Sequence, residues 1–140
     1  MKILNMARLH QRLRRVPQQV RVRAQADLMQ GAREINMLQR ALAPKEDMVL
    51  VGTIKSEPLP EPEIGAVIRA GGPETTVAIR DNKSGGGSAE YDYAFAQEFG
   101  TSKMPANAFF YPGINARKRK VARQVRAGWK RTLKSMGRQS

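Results

Sequence analysis

Residues 91–112 read YDYAFAQEFGTSKMPANAFFYP and hold seven of the chain's eight aromatic residues, leaving only Trp129 outside. Aromatic side chains bury more apolar area per residue than any others, so this stretch is the expected organiser of a core or of an interface. Phe95 and Phe99 stand four residues apart, the spacing that puts both rings on one face of a short helix over residues 93–99. Gly100 supplies the left-handed conformation that commonly ends a helix, and Pro105 opposes a restart. Met104, Phe109, Phe110 and Pro112 are too apolar for a solvated loop. They predict a segment packed against its own domain or against a neighbouring subunit.

Outward from that stretch, 140 residues suit a single domain, expected to run as a helical region over 1–43, a linker over 44–63, and a sheet, aromatic loop and last helix over 64–140. The absence of cysteine excludes disulfides and thiolate metal sites. No apolar run approaches the length of a bilayer span, and the basic start lacks the apolar segment of a secretion signal, so a soluble, intracellular product is expected with no membrane partner. The net charge is +13 and unevenly spread. Residues 1–23 carry seven Lys or Arg and residues 115–140 carry ten, with no acid in either, while residues 24–114 carry eight against all twelve carboxylates. Clustered cations of this kind point to phosphate-rich or acidic partners, or to solvated helix faces.

In chain order, Ile3, Met6, Leu9, Leu13 and Val16 form an apolar stripe with a basic opposite face, predicting an amphipathic helix that Pro17 breaks. A second helix is expected from Pro17 to about Ala43 on Val20, Ala24, Leu28, Ala32, Ile35, Leu38 or Gln39, and Leu42, the alternative being one helix bent at Pro17. Pro44 ends it. Residues 45–56 read as a helical turn or a strand, and Pro58, Pro60 and Pro62 as an extended linker. Ile64, Ala66 and Ile68 alternate, as do Val77 and Ile79, which predicts an antiparallel hairpin through Ala70–Glu74. Residues 81–88, DNKSGGGS, read as a mobile loop without the spacing of a phosphate-binding loop. A last helix is expected from Asn115 to about Met136, with Val121, Val125, Trp129, Leu133 and Met136 as its buried stripe.

No pattern of catalytic or metal-ligating residues emerges. Glu61 with Glu63, and Glu46 with Asp47, are paired carboxylates without a nucleophile, and His10 has no second histidine or cysteine to join it in a metal site. The fold class expected is α+β: a small antiparallel sheet packed with N-terminal and C-terminal amphipathic helices and long loops. No enzyme activity, cofactor or metal is expected.

The block Tyr93-Ala94-Phe95-Ala96-Gln97-Glu98-Phe99-Gly100-Thr101, followed by Lys103-Met104-Pro105-Ala106, Phe109-Phe110-Tyr111-Pro112 and a basic helix, resembles the tailed-phage neck and tail-component family typified by the gene-product-ten-like protein of phage HK-ninety-seven. The likeness is carried by a tyrosine-alanine pair, a Glu-Phe-Gly-Thr block, a Pro-Ala step and an aromatic-proline lead into the last helix, in that order. It covers the last third of the chain. The resemblance implies a structural virion protein, assembled in the host cytoplasm, that joins head to tail or completes the tail. It implies a ring, with a homo-hexamer as the expected form, that meets neighbouring neck and tail-tube proteins and encloses genomic DNA. Phe99, Gly100, Thr101, Met104, Pro105, Phe109, Phe110, Tyr111 and Pro112 are then the expected subunit or partner interface. Arg117, Lys118, Lys120, Arg123, Lys130 and Lys134 are the expected contacts to channel DNA or to acidic partners. The alternative is a small basic nucleic-acid-binding protein.

Overall fold

A computed structural model describes residues 18–46, 48–79 and 89–138. The fold is α+β. Helix α1 spans Gln18–Leu42, α2 Met48–Thr53, α3 Tyr93–Phe99 and α4 Phe110–Gly137; strands β1 to β4 span Lys55–Pro58, Ala66–Arg69, Thr76–Ala78 and Glu90–Asp92. A short 3-10 turn, Pro73–Thr75, leads into β3. The expected helix over residues 1–16, His10, Asp47 and the glycine-rich segment 81–88 lie outside the described residues.

The chain divides into two compact units. The first comprises residues 1–33, 56–67 and 118–140; the second comprises 34–55 and 68–117. The physical reason is the length of the two main helices. At 25 and 28 residues, α1 and α4 are each longer than one small core covers, and each contributes to both units. Charge divides with the units. The first holds 17 Lys and Arg against four acids and the second eight of each, so the whole net charge falls in the first.

In the first unit, α1 and α4 approach closely in antiparallel order. A Cβ on Gly31 would fall against Val121, and one on Gly128 against the Asp27 carboxylate. Only glycine allows both approaches at this spacing. Gln25 clamps the β1–β2 connection, its amide nitrogen donating to the Gly65 carbonyl at 2.9 Å and its amide oxygen accepting from Gly65 N–H at 3.0 Å. Arg21 donates to the Pro62 carbonyl nearby. Residues 59–65 are therefore a held turn and not the expected extended linker, with Glu63 N–H donating to the Pro60 carbonyl at 3.0 Å and Leu59 N–H to the Gly65 carbonyl at 3.1 Å; Glu61 and Glu63 stand exposed to solvent. Val121 is buried and Val125, Trp129 and Met136 half-buried, but Leu133 is 49% exposed, which removes it from the expected stripe.

The second unit is built on a cluster of Ala43, Leu50, Ile54, Ala94 and Phe109. The predicted hairpin between residues 64–68 and 77–79 does not form. β2 pairs antiparallel with β1, and β3 pairs antiparallel with β4, with Thr76 opposite Asp92 and Val77 opposite Tyr91. Gly71 and Gly72 take φ of 81° and 128°, and the turn at Pro73 carries the chain away from β2 before β3 begins. The strands that take the two partners, Lys55–Pro58 and Glu90–Asp92, are short and polar, so no apolar alternation marked them.

Candidate interaction surface

Asp92 begins the construction. Its Oδ1 accepts from Ala94 N–H at 2.9 Å, capping α3, and from the Thr75 hydroxyl at 2.6 Å, while Oδ2 accepts from Gly72 N–H at 3.1 Å. One carboxylate thus ties the helix start to the turn before β3 and satisfies donors that the turn would leave bare. Thr53 extends the tie, accepting from Gly71 N–H at 3.0 Å and donating to the Leu50 carbonyl at 2.7 Å. α3 stops at Gly100, whose φ of 76° and closeness to the Ala106 backbone, 2.8 Å from a Cβ placed there, both require glycine.

The loop after Gly100 is closed on itself. Thr101 N–H donates to the Met104 carbonyl at 2.8 Å, and Asn107 N–H reaches back to the Gln97 carbonyl at 2.7 Å. Glu98 then fixes the start of α4. Although buried, its Oε2 accepts from the N–H groups of Phe109 and Phe110, each at 2.8 Å, and its Oε1 accepts from Tyr111 N–H at 3.0 Å. The first N–H groups of a helix lack intrahelical partners and carry partial positive charge, so a carboxylate from another element both satisfies them and complements the helix dipole. Gln39 adds a bond from its amide nitrogen to the Phe110 carbonyl at 3.1 Å.

These contacts place five rings in a continuous ladder. Phe95 and Phe99 meet at a tilt of 49° with centroids 4.6 Å apart, Phe99 meets Tyr111 at 6.1 Å, also tilted, Tyr111 meets Phe110 edge-on at 5.3 Å, and Phe110 meets Phe109 edge-on at 6.5 Å. Exposure falls along it: Phe95 is 66% exposed, Phe99 55%, Tyr111 43%, Phe110 half-buried and Phe109 only 1%. The ladder lines a concavity of about 280 Å³, and a larger groove of about 610 Å³ lies along Leu50, Ile79, Tyr91, Tyr93, Ala96 and Met104. Offset and edge-on aromatic pairs are worth about 0.5–1.5 kcal/mol each beyond their buried area. The exposed end is an apolar surface on a rigid base.

Of the interface residues expected from sequence, Phe99, Thr101, Met104, Pro105, Tyr111 and Pro112 are exposed, Gly100 and Phe110 are half-buried, and Phe109 belongs to the core. Phe109 differs from the other expected interface residues in that its ring, 1% exposed, packs in the second unit's own core. Phe95, the most exposed ring of the ladder, was legible as a helix-face partner of Phe99 but was not among the expected interface residues. Glu98 and Asp92 were also missed as organisers. Asp92 carries a local signal, an N-cap residue ahead of a helix; Glu98 has none, because its partners lie eleven to thirteen residues on.

Among the expected DNA or acidic-partner contacts, Lys118, Lys120, Arg123, Lys130 and Lys134 are exposed and Arg117 is half-buried. Among the described residues, no group of three His, Cys, Asp or Glu side chains is placed to hold a metal ion, and no helix is long and apolar enough to cross a membrane. No family model, curated protein or solved structure matches the chain.

Proposed function

We propose that this chain is a structural subunit of a tailed-phage neck, a ring-forming component at the junction of head and tail. The observation that carries the reading is the exposed end of the aromatic ladder, Phe95, Phe99 and Tyr111, held on a base fixed by Glu98 and Asp92. Exposed rings on a mobile loop would be an aggregation hazard; exposed rings on a fixed base suit a specific neighbour. The order of the Glu-Phe-Gly-Thr block, Pro-Ala step and aromatic-proline lead agrees with the same reading. In a ring, the ladder of one copy seats on the next copy or on an adjoining neck or tail protein, a head-to-tail contact that closes by rotation.

The test is the mass of the purified chain by light scattering after nuclease treatment at moderate salt. A closed assembly of about six copies, reduced to monomers by Phe95→Ser with Phe99→Ser, is expected. A monomer whose mass changes only when duplex DNA is added would favour the nucleic-acid-binding alternative instead.

A further inference from the structure

Five of the seventeen cations of the first unit share one side of α4. At 3.6 residues per turn, Arg119, Arg123, Arg126, Lys130 and Lys134 fall within an arc of about 80° on the helix surface. All five are exposed. The buried positions Val121 and Gly128 lie on the opposite side of the same helix, so these five cations form one row pointing away from the packed face. From Arg119 to Lys134 the row runs about 22 Å.

A solvated surface is a poor explanation of this row. Arg119 with Arg123, Arg126 with Lys130, and Lys130 with Lys134 are like charges at i,i+4, which destabilise a helix, and residues 115–140 contain no acid to offset them. The helix dipole accounts only for Lys134 in the last turn, because its influence fades within one turn of the end. We infer that the face of α4 from Arg119 to Lys134 binds the phosphate backbone of duplex nucleic acid without reading its sequence. A duplex carries a negative charge about every 1.7 Å of its axis, so a 22 Å row of five cations meets a continuous supply of phosphates and releases their counterions.

Other polyanions fit less well. A membrane-surface helix needs a broad exposed apolar face, and α4 beyond Lys118 exposes only Leu133 among its large apolar residues. Single-stranded nucleic acid calls for aromatic platforms among the cations, and the one ring in this part of the chain, Trp129, is half-buried with its indole N–H buried. The inference goes beyond the neck reading, since it depends on α4 and not on assembly.

The experiment is a fluorescence-anisotropy titration of the full chain with two labelled duplexes of about 30 base pairs and unrelated sequence, between about 50 and 200 mM salt. Equal affinity for the two is expected, with a slope of log affinity against log salt of about −4 to −5 for five phosphate contacts. The triple variant Arg123→Gln, Arg126→Gln, Lys130→Gln is expected to flatten the slope by about 2.7. The control Lys45→Gln, Lys55→Gln, Lys103→Gln removes the same charge from exposed positions of the second unit and is expected to leave the slope unchanged. A flat slope in the unaltered chain overturns the proposal even if the triple variant does not fold. Equal losses in the two variants overturn it in favour of diffuse attraction, and tighter binding to phosphatidylserine vesicles than to duplex overturns it in favour of a lipid surface. Light scattering on the row variant separates the two readings, because loss of duplex binding with unchanged mass leaves assembly standing.

Discussion

Glu98 reaches Phe110 through its backbone: the carboxylate on α3 accepts the N–H of the first residue of α4 at 2.8 Å, with Phe109 and Tyr111 bound on either side. A single side chain therefore sets where the last helix begins and how the aromatic rings around it are aimed. Replacing Glu98 by Ala would leave three N–H groups without their acceptor in a largely buried place. A loss of about 2–4 kcal/mol is expected, with Glu98→Gln losing less because one amide oxygen still accepts; chemical denaturation of the two variants measures the difference. Equal stability of wild type and Glu98→Ala would show that water replaces the carboxylate.

The two ends of the ring ladder should respond in opposite ways. Phe109→Ala removes a core ring and is expected to cost about 3–5 kcal/mol of stability. Phe95→Ser, at an exposed position, should cost only about 0.5–1.5 kcal/mol of unfolding free energy, the worth of its ring pair with Phe99, while lowering the assembled mass. An assembly indifferent to Phe95→Ser would remove the ladder from the interface.

The α1–α4 approach in the first unit offers a test of packing. An added methyl at Gly31 falls on the stiff, branched side chain of Val121, so Gly31→Ala is expected to destabilise by about 1–3 kcal/mol. Val121→Ala in the same chain should recover part of that loss, since it clears the space. A double-mutant cycle in stability reads the coupling directly, and simple additivity would place the two residues out of contact.

Asp92 should behave as a joint and not as a surface charge. Asp92→Ala removes the α3 cap and frees Gly72 N–H, leaving the Thr75 hydroxyl only the Gly72 carbonyl as acceptor, for an expected loss of about 2–3 kcal/mol. Asp92→Asn retains a capping oxygen and should lose about half as much. Hydrogen exchange at Gly72 and Ala94 would rise in step in both variants if one side chain protects both.

The helices were the legible part of the fold. The Phe95–Phe99 spacing with Gly100 after it marks α3 to the residue, and Pro44 marks the end of α1 to within two residues. The last helix begins five residues before the expected Asn115, because Glu98 supplies the acceptor that lets Phe110 be helical. That partner is distant in sequence and leaves no local trace. Strand pairing was misread for a related reason: β1 and β4 are polar strands of four and three residues, and only the backbone turn at Gly71 and Gly72 decides whom β2 and β3 meet. The row on α4 follows from the 3.6-residue period of a helix already expected there, and the structure adds that all five of its cations are exposed.

The division of charge between the units bears on when copies of this chain meet. The second unit is electrically neutral and bears the exposed rings, while every copy carries its entire +13 in the first. Newly made chains therefore repel one another at long range even though part of their surface is sticky at short range. In the proposed ring, that repulsion would act as a timer on association, opposing it at low ionic strength and relaxing when salt screens the charge or a polyanion neutralises it.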